Sequence, residues 1–246
     1  MTPPLSRAAS SDSRAPREVK PVLDWFFWLA VFAVGALYVR AILFTPMDSL
    51  QGNAQKIYYV HIAAWLPAYI AIGVMALMSV VYLWLHDERA DRLGEACAEV
   101  ALIFLSVGLG TGMIWARVIW GAWWVWWEMR LTLALFLWFV VAGYLVMRGA
   151  IEEDHQRARY SAVLGVLSAL LIPFIHLSVY LFQARIHPMP VVLAPEKPKM
   201  SSEMLVTFLS SFGVFTLLAI AFIRGRYRLS LLREQVNAQL EGGART

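Results

Sequence analysis

Six stretches of this chain are apolar enough, and long enough, to leave a membrane as the one environment that accommodates them. They run near 23–44, 62–85, 97–116, 131–148, 161–182 and 203–223. At ~1.5 Å of helical rise per residue each covers about 30 Å, the depth of a hydrocarbon core. With 60% of residues hydrophobic and 15% charged, a soluble domain has too little polar surface to enclose the rest. The expected fold class is all-α, a polytopic membrane protein with six transmembrane helices. The expected domains are a disordered tail over 1–22, a membrane domain over 23–223 and a second tail over 224–246. The stretch at 23–44 is too long for the apolar part of a signal peptide, and no small-residue cleavage pattern closes it, so it is expected to stay as the first span.

Basic residues set the orientation. With the N-terminus inside, fourteen Lys and Arg fall on the cytoplasmic side and seven on the other, which satisfies the positive-inside rule. Both termini are then cytoplasmic. The outer connections at 45–61, 117–130 and 183–202 are longer than the inner ones and hold most of the unusual residues, which directs attention to the outer face. The bacterial inner membrane is the expected location, with the lipid bilayer as a constant partner.

Several function classes drop out. A lone Cys97 excludes a disulfide framework, a four-cysteine metal site and a CxxCH attachment site for c-type haem. There is no GxxxxGK[ST] loop for ATP and no HExxH. The spans hold almost no carboxylates, which speaks against an ion-coupled transporter; Asp24, Glu99 and Glu203 lie near span ends. The basic residues flank the spans, and no basic run suggests nucleic-acid binding. No catalytic constellation can be assembled, and the chain is expected not to be an enzyme.

Between the third and fourth spans lies Trp120-Gly121-Ala122-Trp123-Trp124-Val125-Trp126-Trp127, five of the chain's eleven tryptophans. If that segment were helical, Trp120, Trp123, Trp124 and Trp127 would share one face and Trp126 would point elsewhere. Such a platform suits a flat apolar ligand with polar edges, and it equally suits interfacial anchoring. Six alternating spans put His61 and His187 on the same outer side, where two neutral imidazoles could supply both axial ligands of a haem iron. Arg117, Arg130 and Arg185 occupy the same layer and match the two propionates. Each feature alone has an ordinary reading as a snorkelling or anchoring residue; their convergence on one face favours haem. His86 and His155 read as solvated inner-loop residues. His176, three residues after Pro173 within the fifth span, is a functional-site candidate as an intramembrane histidine, and the favoured reading is that it satisfies a local polar site. Gly108-x-x-x-Gly112 and Ser161-x-x-x-Gly165-x-x-x-Ala169 read as close helix packing, and Pro67 as a kink below His61.

The tryptophan segment followed by Arg130-Leu131-Thr132 resembles the WWD domain of the haem-handling proteins of cytochrome c maturation. Six spans and this length resemble the haem exporter C (CcmC) family among them, over about residues 23–223. The resemblance implies His61 and His187 as metal ligands of non-covalent haem b. It also implies Trp120, Gly121, Trp124 and Trp126 in a haem platform, which the residues extend to Trp123, Trp127 and Glu128. Implied partners are the periplasmic haem chaperone CcmE, the ABC ATPase CcmA, the membrane subunit CcmB and the small subunit CcmD. Two positions depart from the family pattern. Trp127 stands where an Asp is usual, with Glu128 aligned to that Asp by a one-residue insertion, and Leu181-Phe182 stands where a Trp pair is usual. Two rivals without this resemblance are a permease or scaffold subunit whose tryptophans only anchor or dock it, and a membrane b-type cytochrome, for which His176 finds no partner.

Overall fold

In a computed structural model, residues 21–182 and 200–243 are described. They form six helices: α1 (Trp25–Val39), α2 (Tyr58–Leu85), α3 (Glu88–Trp120), α4 (Met129–Ala150), α5 (Asp154–Leu181) and α6 (Ser202–Gly243). A π-helical turn (Arg40–Phe44) extends α1, and a 3-10 turn (Asn53–Ile57) leads into α2. All six helices are long and apolar enough to cross a membrane, and the described residues contain no β-sheet. Helices answer the physical demand directly, because each satisfies its own backbone amides where no water can. The chain is thus a multi-pass membrane protein.

The helices outrun the apolar stretches. α3 starts nine residues before position 97, capped by the Asp87 carboxylate on the Arg89 amide, and α6 carries on from 223 through Gly243. Hydropathy marks the depth of the bilayer, whereas a helix ends only where its hydrogen bonding ends, and the Leu-, Arg- and Glu-rich residues after 223 are good helix formers. Residues 224–243, expected as a tail, therefore prolong the sixth helix.

α2 occupies the centre and touches α3, α5 and α6. Its buried stripe of Ala64, Ala68, Ala71 and Met75 lets α3 approach closely through Cys97, Ala98, Ala101 and Leu105. In lipid such packing, rather than the hydrophobic effect, holds helices together. Ser161 and Gly165 of α5 do the same against α2: a Cβ at Gly165 would overlap Ser79 Oγ, which itself donates to the Met75 carbonyl. Pro67 is buried within an unbroken α2.

Charges mark one end of the bundle. Asp24 caps α1 and pairs with Arg224 and Arg228 of α6, Glu99 pairs with Arg226, and Arg148 of α4 forks onto Asp91 of α3 at 2.6 and 2.9 Å with Glu95 at 3.1 Å. Burying a charge requires partners, and these carboxylates supply them. His86 and His155 are exposed at this same end, as their loop positions suggested, with the Tyr82 hydroxyl 3.0 Å from His155 Nδ1. The other end carries the connections 45–57 and 121–128. There Thr45 and Thr207 share a buried hydrogen bond of 2.8 Å, and Arg40 Nε donates to Thr207 Oγ1, tying the end of α1 to the start of α6.

Candidate functional site

A cavity of about 440 Å³ opens among α2, α3, α4, α5 and α6, within the range of small-molecule and cofactor sites, ~300–1,000 Å³. Its wall combines His61, Trp65 and Tyr69 of α2, Gly108 and Gly112 of α3 and Arg130 of α4. Trp115, Trp120, Trp124 and His176 complete its polar and aromatic lining, with Gln51 at the rim held by the Trp115 indole N–H at 3.0 Å.

His61 sits one turn inside α2 and is 7% exposed. Its Nδ1 lies 2.8 Å from the Gly108 carbonyl oxygen. A carbonyl can only accept, so Nδ1 carries the proton and donates, and the neutral ring keeps its lone pair on Nε2. That is the arrangement in which a histidine ligand is oriented by its second nitrogen. The glycines of Gly108-x-x-x-Gly112 bring this about. A Cβ at Gly112 would stand 2.7 Å from His61 Cε1, and one at Gly108 would stand 2.9 Å from Trp65 Cε2. The expected close packing is real, and what it admits is the imidazole and the indole next to it.

The tryptophan segment is a loop. Helix α3 stops at Trp120 because Gly121 turns left-handed at φ 73°, and Arg117 in the last turn donates to the Gly121 carbonyl. Irregular backbone then runs to Glu128, the residue before α4. The alternative in which Trp120, Trp123, Trp124 and Trp127 share one helical face is excluded. Trp120 and Trp124 line the cavity, whereas Trp123, Trp126 and Trp127 are 55, 69 and 81% exposed. Trp126 still meets Trp124 edge to face at 5.9 Å. The Trp124 indole N–H is buried without a hydrogen-bond partner among the described residues.

The three arginines separate. Arg130 faces the cavity, with no hydrogen bond or ion pair among the described residues, although buried Glu128 is near enough to act on it through space. Arg117 is exposed and engaged with its own helix end. Arg185 and His187 lie outside the described residues. Trp65, Tyr69, Trp115 and Gln51 were not singled out from sequence. For the two aromatics after His61 a signal existed: His61, Trp65 and Tyr69 recur every four residues on one face of α2.

The geometry can be set beside known proteins. The family described as Heme exporter protein C matches residues 6–241. The chain belongs to the Heme exporter protein C family. A relative of that name in Haemophilus influenzae is 32% identical over 209 residues, covering 85% of this chain and 84% of the relative. One from Escherichia coli K12 is 32% identical over 171 residues, 67% of this chain and 68% of the relative. One from Bradyrhizobium diazoefficiens is 31% identical over 220 residues, covering 88 and 81%. Membership of the Heme exporter protein C family places the chain in cytochrome c biogenesis and haem transport, in agreement with the resemblance read from the tryptophan segment.

Proposed function

We propose that this chain holds haem b non-covalently in the cavity, at the periplasmic face, and delivers it to the haem chaperone CcmE. The haem is cargo. The observation that carries the reading is His61: a buried imidazole whose Nδ1–H is committed to Gly108, leaving Nε2 as a ready ligand on the wall of a cavity of cofactor size.

The other groups fit an iron porphyrin. Trp65, Trp120 and Trp124 offer aromatic contact, worth ~0.5–1.5 kcal/mol per pair beyond burial, a sum of weak interactions that retains a ligand yet lets it leave. The orphan indole N–H of Trp124 and the unpaired Arg130 guanidinium are donors in want of an acceptor, and a propionate edge supplies one. His187 would be the second axial ligand. It follows Leu181, at the end of α5, by six positions, a chain length of at most about 20 Å. Exchange of that ligand would begin release. Gly121 turns the loop so that Trp126, Trp127 and Trp123 face outward, a surface for the chaperone; Glu128 holds Arg130 by charge.

The family name supports a role within a heme exporter complex. In that assembly this chain would be a membrane subunit, not an enzyme, with ATP hydrolysis left to CcmA, and CcmB and CcmD as membrane partners. The excess of basic residues at the other end supports a cytoplasmic location for both termini. A scaffold without haem would explain the exposed Trp126 and Trp127 but gives no use to the donors turned into the cavity. The test is haem transfer: in membranes containing CcmE, His61→Ala or His187→Ala should abolish chaperone loading while the protein still inserts. Normal loading by both variants refutes the assignment.

A further inference from the structure

The expectation that His176 serves a local polar site does not match its surroundings. Pro173 leaves the Ala169 carbonyl without its helical amide, yet no hydrogen bond joins His176 to that carbonyl or to any other described group. The imidazole is exposed and lines the same cavity as His61, with the Tyr69 ring 5.4 Å away, edge to face. Tyr69 lies eight residues beyond His61 along α2, about 12 Å deeper along the helix axis. His61, Trp65 and Tyr69 form a file of rings at 6.2 and 5.7 Å, and His176 stands at its inner end. An imidazole at membrane depth without a hydrogen-bond partner is costly, and such residues mark ligand paths.

We propose that His176 is a second, deeper iron-ligating station, which takes the porphyrin iron on its way to His61. The inference rests on the haem reading of the cavity. His176 packs on Tyr69, at the far end of that file of rings from His61, and ligates alone, before transfer. Trp65 and Tyr69 line the interval and offer aromatic contact along it, and Arg130, close enough to act on both Tyr69 and His176 through space, would meet the propionates in either position. Only coordination changes: His176 Nε2 or Nδ1 donates a lone pair to iron and is replaced by His61 Nε2, with no oxidant or proton required.

The test uses full-length protein in detergent, titrated with hemin and read by its Soret band and by high-spin iron in electron paramagnetic resonance. The His61→Ala/His187→Ala variant should keep a five-coordinate, imidazole-ligated haem, and addition of His176→Ala should abolish that signal. His176→Gln, which preserves polarity and size, serves if the alanine form does not stay monodisperse. Equal residual haem with and without His176 overturns the inference while leaving the site at His61 intact. Absence of haem from the wild type overturns the haem reading itself.

Discussion

Gly112→Ala is expected to damage the haem site while leaving the fold standing. The added Cβ would meet His61 Cε1 at 2.7 Å and Nδ1 at 3.1 Å, about 0.8 Å inside an ordinary carbon contact of about 3.5 Å. Gly112 is on a continuous helix against a tightly packed α2, so the imidazole has to give way. A shift of that size carries Nδ1 from 2.8 Å off the Gly108 oxygen to the limit near 3.6 Å at which hydrogen bonding ends. Overpacking costs about 1–3 kcal/mol and the orphaned pair about as much again, against a gain of ~1 kcal/mol from replacing Gly by Ala in a helix. The net loss of about 1–5 kcal/mol is tolerable for a six-helix bundle. Loss of the orienting bond should lower haem affinity by roughly 10–100-fold. The control is Gly110→Ala, two residues away on the same helix, where a Cβ meets nothing within 4 Å. Hemin titration and thermal melts in detergent give both quantities. If Gly112→Ala and Gly110→Ala bind haem equally well, His61 is not held as described.

Three further outcomes follow from packing and charge. Gly165→Ala should lower thermal stability by about 1–3 kcal/mol through overlap with Ser79 Oγ, and the added Ser79→Ala should recover most of it. Arg148→Leu should cost about 3–5 kcal/mol, since it strands Asp91 and Glu95, and Arg148→Leu/Asp91→Leu should be less damaged than the single variant in a double-mutant cycle. The Arg228 side chain, with the Phe27 amide and Arg224, holds the Asp24 carboxyl down from 3.8 to about 2. A depressed folded value means that the clasp between α1 and α6 stabilises fully above the ordinary carboxylate range and is lost as pH falls from about 4 towards 2. Wild type and Asp24→Asn should therefore differ in melting temperature at pH 6 and converge in acid; a constant gap refutes that linkage.

The architecture was legible because bilayer thickness writes itself into the sequence as six apolar stretches. Helix ends were not, since polar turns such as 88–96 and 224–243 stay helical outside the bilayer, where hydropathy is blind. His61 and Arg130 emerge from sequence as candidates and meet on one cavity. Arg117 reads the same way in sequence but bonds its own helix end, a choice made by the left-handed Gly121. That glycine also breaks the helical face imagined for the tryptophans. Which of five neighbouring indoles turn inward depends on loop backbone, which periodicity does not encode. For His176 the nearby Pro173 offers a local explanation in sequence, and only the tertiary contact with Tyr69 shows which cavity it faces.

The central claim, that His61 and His187 hold a haem on this cavity, is tested most directly by the visible absorption spectrum of detergent-purified wild type beside His61→Ala and His187→Ala. The expected result is a Soret band of six-coordinate haem in the wild type that weakens or shifts in each variant. A wild type without haem, purified after ample haem supply and in the absence of the chaperone, would contradict it and leave the tryptophan loop as a docking surface.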